Sequence, residues 1–145
     1  MPSPNPMLGP VVALAAWTAV IWFWMYATRI PAILAMRMRL DANAPRGEQM
    51  ATLPARVRWK ADNYNHLMEQ PTQFYAVALA LAMLGDASAW SVGLAWTYVG
   101  LRVVHSLWQV MVNQIQVRFG LFAVSSLVLF ALALTVIGVV LGIVT

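Results

Sequence analysis

Residues 62–85, DNYNHLMEQPTQFYAVALALAMLG, are polar in their first half and apolar in their second. The apolar part, residues 74–84, covers only about 16 Å as a helix, against a bilayer core of about 30 Å. If this stretch crosses a membrane, the residues upstream must complete the crossing, with Asn63, Asn65, His66, Glu69 and Gln70 turned away from lipid. Composition supports that premise. Of the 145 residues, 61% are hydrophobic and 10% charged, where a soluble domain carries about 45–50% and about 25%. A soluble enzyme of this size is thereby excluded. The chain has no cysteine, so it holds no disulfide, thiolate metal site or cysteine nucleophile.

Working outward, the first 28 residues are uncharged, with an apolar block from Leu8 through Trp17 to Tyr26. A cleavable signal peptide fits poorly, because residues 1–6 lack a basic start and Trp22, Phe23 and Trp24 occupy the place of the cut site. The tail from Phe119 to Thr145 is uncharged and rich in Leu, Val and Ala. Residues 87–101 are too short alone and are expected to continue past Arg102 and His105. The expectation is one all-α integral membrane domain over 1–145. It is a bundle of four transmembrane helices at about 8–33, 62–85, 88–113 and 118–144, with a loop at about 36–60 in which helix can begin as early as Leu53.

Seven of the nine basic residues lie between Arg29 and Lys60, and the acidic Asp86 lies in the opposite connection, Gly85-Asp86-Ala87-Ser88. A basic cluster confined to one loop beside apolar spans points to a membrane surface, not to nucleic acid. The positive-inside rule makes that loop cytoplasmic and leaves both termini on the other side.

Two polar stripes carry the candidate chemistry. Asp62, Asn65, His66, Glu69 and Gln73 share one helical face, as do Arg102, His105, Gln109, Asn113 and Gln116. Ionisable groups at membrane depth turn inward and pair, and Arg102 with Glu69 is the pair expected. The same stripes also fit groups that merely hold neighbouring helices together. His66 and His105 lack the spacing of a metal motif. Pro71 removes one backbone hydrogen bond and is expected to kink its helix.

Lys60-Ala61 and Asn65-His66-Leu67-Met68-Glu69-Gln70-Pro71-Thr72-Gln73-Phe74, followed by Arg102-Val103-Val104-His105 and Arg118, resemble MAPEG, the membrane-associated proteins in eicosanoid and glutathione metabolism. The second span of that family reads roughly R-A-x-x-N-x-x-E-x-x-P-F. The likeness covers nearly the whole chain and is to a bacterial-type member with a divergent motif. Anchored on Pro71, Asn65 falls on the family's Asn and Glu69 one residue beyond its Glu. Gln109 stands where well-studied members have Tyr, and Phe119 and Phe122 replace polar residues that some members use near the thiol.

The resemblance implies a homotrimer of four-span subunits in the cell inner membrane, with glutathione as cosubstrate bound between subunits near the cytoplasmic face. It implies a transferase or peroxidase acting on a lipophilic small molecule, or else a structural or ligand-binding member without catalysis. Arg118 is the residue expected to stabilise the thiolate. Arg37, Lys60, Asn65, Glu69, Arg102, His105 and Gln109 are those expected to bind glutathione. The ligand suits them, since its two carboxylates need Arg or Lys donors, its ammonium a carboxylate and its amides polar partners.

Overall fold

Helix formation covers the apolar runs and also the polar stretch 55–68 ahead of Pro71. The computed structural model describes residues 4–143, and every regular element among them is helical: α1 (Leu8–Ala35), α2 (Glu48–Ala51), α3 (Ala55–Met68), α4 (Gln70–Met83), α5 (Ala89–Met111) and α6 (Ile115–Val140). The extreme termini, with Val144 of the expected fourth span, lie outside the described residues.

Helix ends follow local backbone chemistry. At the end of α1, Arg37 takes a left-handed φ of 50°, and the Met38 and Arg37 N–H groups close onto the Ile33 and Leu34 carbonyls at 3.2 and 3.1 Å. That is the Schellman arrangement, usually built on glycine. Gly85, at φ 80°, ends α4 in the same way. Asp86 then accepts from the Ser88 N–H at 2.8 Å and from the Ser91 hydroxyl, and Ser88 caps α5 through the Ser91 N–H at 3.2 Å. Burial alone would raise the Asp86 carboxyl, but these hydrogen bonds from Ser91 and Ser88 outweigh it and bring the group below its ordinary value. The Asn5 side chain donates to the carbonyls of Ala82 and Asp86 at 3.3 and 3.1 Å, tying the start of the chain to this turn.

Met7, Leu14 and Ile21, seven residues apart, are fully buried together with Leu67, Phe74, Ala78, Leu81, Leu129 and Leu132. The Phe74 ring stacks on Tyr98 with centroids 4.7 Å apart. Polarity is inverted relative to a soluble domain. Arg102 is 1% exposed, whereas Phe23, Leu34, Met83, Phe119 and Leu127 all lie two-thirds or more open. Surface of that kind needs an apolar neighbour. By length and composition, α1 and α6 can cross a bilayer unaided. α5 is long enough, but its apolar outer face, Trp90, Trp96, Val104 and Met111, is offset by inward Arg102, His105, Ser106 and Gln109.

Candidate functional site

Pro71 has no N–H to offer the Leu67 carbonyl, and its ring crowds that carbonyl. The helix therefore breaks at Glu69, whose φ and ψ are −90° and −98°. The kink expected at Pro71 thus falls on the turn before the ring. The Glu69 carbonyl accepts from the Thr72 N–H at 3.2 Å and from its hydroxyl at 2.6 Å. In an unbroken helix the His66 carbonyl would accept from the Gln70 N–H. Here Arg102 Nη2 of α5 donates to it at 2.9 Å.

The expected Arg102–Glu69 pair is not formed. Glu69 lies on the outward face of α3 and Arg102 on the inward face of α5, so Arg102 finds backbone and Glu69 finds its helical neighbour. Glu69 Oε2 lies 3.1 Å from His66 Nδ1. Arg118 Nη2 donates to His66 Nε2 over 3.4 Å, and its Nη1 donates to Asn113 Oδ1 at 2.5 Å. Asn113 sits at a left-handed φ of 57° just past the end of α5, a conformation Asn tolerates well. The second polar stripe consequently stops at Gln109, because the helix ends before Asn113 and Gln116 belongs to α6.

His66, Glu69, His105 and Arg118 form the polar side of a cavity of about 430 Å³, and Ile115, Phe119 and Phe122 form its apolar side. That volume lies in the range of small-ligand sites. The His66 and His105 rings meet edge to face, with centroids 6.3 Å apart. His105 Nε2 bonds Gln109 Oε1 at 3.2 Å, so Gln109 reaches the cavity only through His105. Among the described residues, Arg102 Nε and Nη1, His105 Nδ1 and Arg118 Nε are buried without a hydrogen-bond partner.

Three other expected residues lie elsewhere. Asn65 opens on a second cleft of about 250 Å³, shared with Arg29, Arg58 and Asp62. Lys60 is buried between α1 and α3, its Nζ donating to the Arg56 carbonyl at 2.7 Å and lying 5.4 Å from the Trp24 ring centre. Burial, with Arg56 adding repulsion, lowers its pKa from the ordinary lysine value. Arg37 is exposed at the helix end and lines neither cleft. Sequence reading passed over Arg29 and Arg58, for which spacing gives no signal. It placed His66 on the polar stripe but not among the residues expected to bind glutathione, although the interval of three residues to Glu69 was available.

The family model described as "MAPEG family" matches residues 7–138 of the chain. No curated protein matches the chain. Nor does any solved structure.

Proposed function

The chain belongs to the MAPEG family, a membrane family that includes glutathione-dependent transferases and peroxidases as well as members without catalysis, and from that premise we propose that it is a glutathione-dependent membrane enzyme acting on a lipophilic electrophile. One observation carries this reading. A single cavity has the Arg118 guanidinium and the Glu69 carboxylate on one side and the exposed Ile115 and Phe119 on the other, so a charged peptide and a lipid-soluble molecule can both reach it. Arg118 holds the thiolate, which is the nucleophile. Glu69 takes the ammonium. Arg102 and Gln109 act through their hydrogen bonds to His66 and His105.

The two clefts share the outer face of α3, with Asp62 and Asn65 at the basic one and Glu69 at the other. From Asp62 to Glu69 is about 10 Å of helix, close to the length of an extended tripeptide. Glutathione lying along this face sets a carboxylate toward Arg29 and Arg58 and its sulfur toward Arg118, with Asn65 at its amides and Arg37 and Lys60 supplying further positive charge. The membrane form is a homotrimer of four-span subunits in the cell inner membrane, with both termini non-cytoplasmic.

Binding of glutathione to the purified chain in detergent tests the reading, and failure to bind removes it. The ultraviolet absorbance of the bound thiolate, followed with pH, should place the thiol pKa below its free value of about 8.5. Arg118→Leu should lower turnover more than affinity, because charge on sulfur is present mainly in the activated state. Glu69→Gln should weaken glutathione binding, because the ligand ammonium loses its carboxylate partner. A ligand-binding member without catalysis is the second reading, favoured by Gln109 turning to His105 and by Phe119 and Phe122 at the cavity, which no hydroxyl-bearing residue lines among those described. Tight binding with no thiolate signal would establish it.

A further inference from the structure

The polar side of the cavity holds an arrangement that neither substrate binding nor Arg118 accounts for. His66 is gripped at both ring nitrogens, Nδ1 by Glu69 Oε2 at 3.1 Å and Nε2 by Arg118 Nη2 at 3.4 Å. A guanidinium only donates, so the nitrogen facing it carries the lone pair and the nitrogen facing the carboxylate carries the proton. In the neutral ring this pairing places the proton on Nδ1 and the lone pair on Nε2, at the cavity beside the cation expected to hold the sulfur. The groups facing this ring are Glu69 beside it in the chain, Arg102 and His105 from α5, and Arg118 from α6. Arg102 spends its contact on the His66 carbonyl, which anchors the residue, and not on its ring.

We propose that His66 is the proton acceptor for the bound thiol, with Glu69 as the carboxylate that orients its ring, a role that rests on the glutathione reading above. On binding, Arg118 Nη2 turns from Nε2 to the sulfur, which frees the ring lone pair; the S–H bond breaks, the proton forms a bond to Nε2, and the electron pair stays on sulfur. The resulting thiolate faces Arg118 and the imidazolium faces Glu69, so two new charges each meet an opposite one. When the sulfur pair forms the bond to the electrophile, the proton on Nε2 neutralises the leaving group, or the anion that the addition creates. The catalytic group is then His66, in the last turn of α3 ahead of the break, and Glu69 is a positioning residue.

The test uses the full-length chain in detergent, with glutathione as the probe and two readouts. Thiolate formation is followed in the ultraviolet, and proton release by calorimetry in two buffers of different ionisation enthalpy. In the wild type the thiolate should form without releasing an equivalent proton to the medium. The chain has only two histidines, so nitrogen NMR of labelled imidazole, assigned with His105→Gln, should show the His66 ring becoming imidazolium as glutathione binds. In His66→Gln, which keeps an acceptor for Arg118, each thiolate that still forms should release one proton, and its formation should slow by about 100-fold. One proton released per thiolate in the wild type, an unchanged neutral ring, or a bound thiol that never ionises would each overturn the role of His66 while leaving glutathione binding in place. No binding by the wild type would overturn the reading beneath it as well. The wild-type measurements decide even if the variant fails to fold.

Discussion

Asn113 and Arg37 both occupy left-handed backbone, and they separate what a residue does for the fold from what it does for the ligand. Asn113→Gly keeps the backbone permissive and removes only the acceptor for Arg118 Nη1. Stability should therefore change by less than about 0.5 kcal/mol, while the thiol pKa of bound glutathione rises toward the free value as Arg118 loses its hold. Unchanged thiolate chemistry would make this contact incidental. Arg37→Gly replaces a strained side chain at φ 50°, so thermal unfolding should show a gain of up to about 1 kcal/mol, and the affinity for glutathione should fall if Arg37 meets a carboxylate. Asp86 gives a pH dependence whose sign is fixed. Its folded carboxyl lies below the ordinary value because Ser91 and Ser88 donate to it, against the opposing effect of burial, so the stability it contributes is present above the unfolded pKa and lost as pH falls through the folded one. The difference in unfolding temperature between wild type and Asp86→Asn should be present at neutral pH and vanish in strong acid. Ser88→Ala removes the cap of α5 and should cost about 1 kcal/mol.

At the scale of elements, the sequence reveals which residues share a face but not which way that face points. The spacing of Arg102, His105 and Gln109 defines one side of α5, and the structure turns that side inward, where all three are buried. The equally regular spacing of Asp62, Asn65 and Glu69 defines one side of α3, and the structure turns that side outward. Periodicity is a property of a single helix, whereas orientation depends on where its buried apolar residues lie: Ala61 and Leu67 lie off the α3 stripe and leave it outside, while Tyr98 and Val99 share the face of the α5 stripe and carry it inside. Hence the helices could be read from the sequence and the ion pair across them could not. The break was legible as a proline effect, though not its place at Glu69, because the strain of Pro71 lands on the preceding turn. Pro71→Ala restores an N–H for the Leu67 carbonyl and should let α3 and α4 join. Such a variant should stay folded, since Phe74, Ala78 and Leu81 still pack. Rotation at Glu69 would carry the carboxylate and the His66 carbonyl away from their partners, and thiolate formation should slow on the order of 100-fold. Wild-type thiolate chemistry in Pro71→Ala would show that the break is tolerated, not used.

For the whole molecule the decisive fact is the inverted distribution of polarity, with Arg102 inside and Phe23, Met83 and Leu127 outside. The basic loop and the Asp86 turn lie at opposite ends, the latter beside Asn5, so tags fused at either terminus should both report the non-cytoplasmic side. A cytoplasmic signal from one tag would reverse the span count or the orientation. The assembly prediction starts from a part of the helical surface that does not suit lipid. Asp62, Asn65, Glu69, Thr72 and Gln73 are exposed on α3 and α4, and an Asp at the centre of a bilayer costs about 2.5–3.5 kcal/mol on insertion scales. A single subunit covers the polar stripe of α5 with its own helices but leaves this one bare, and the expected trimer would set a neighbouring subunit against it. In a closed ring each copy presents the stripe to its neighbour, and no copy is left with it uncovered. Three copies are the number expected, and mass measurement in a detergent that preserves the complex should give the trimer. If the stripe is the subunit contact, Gln73→Leu together with Asp62→Leu should weaken assembly and glutathione binding together, because Asp62 also lines the basic cleft. A stable wild-type monomer that still binds glutathione would place the whole site within one subunit and leave the stripe to water at the membrane surface.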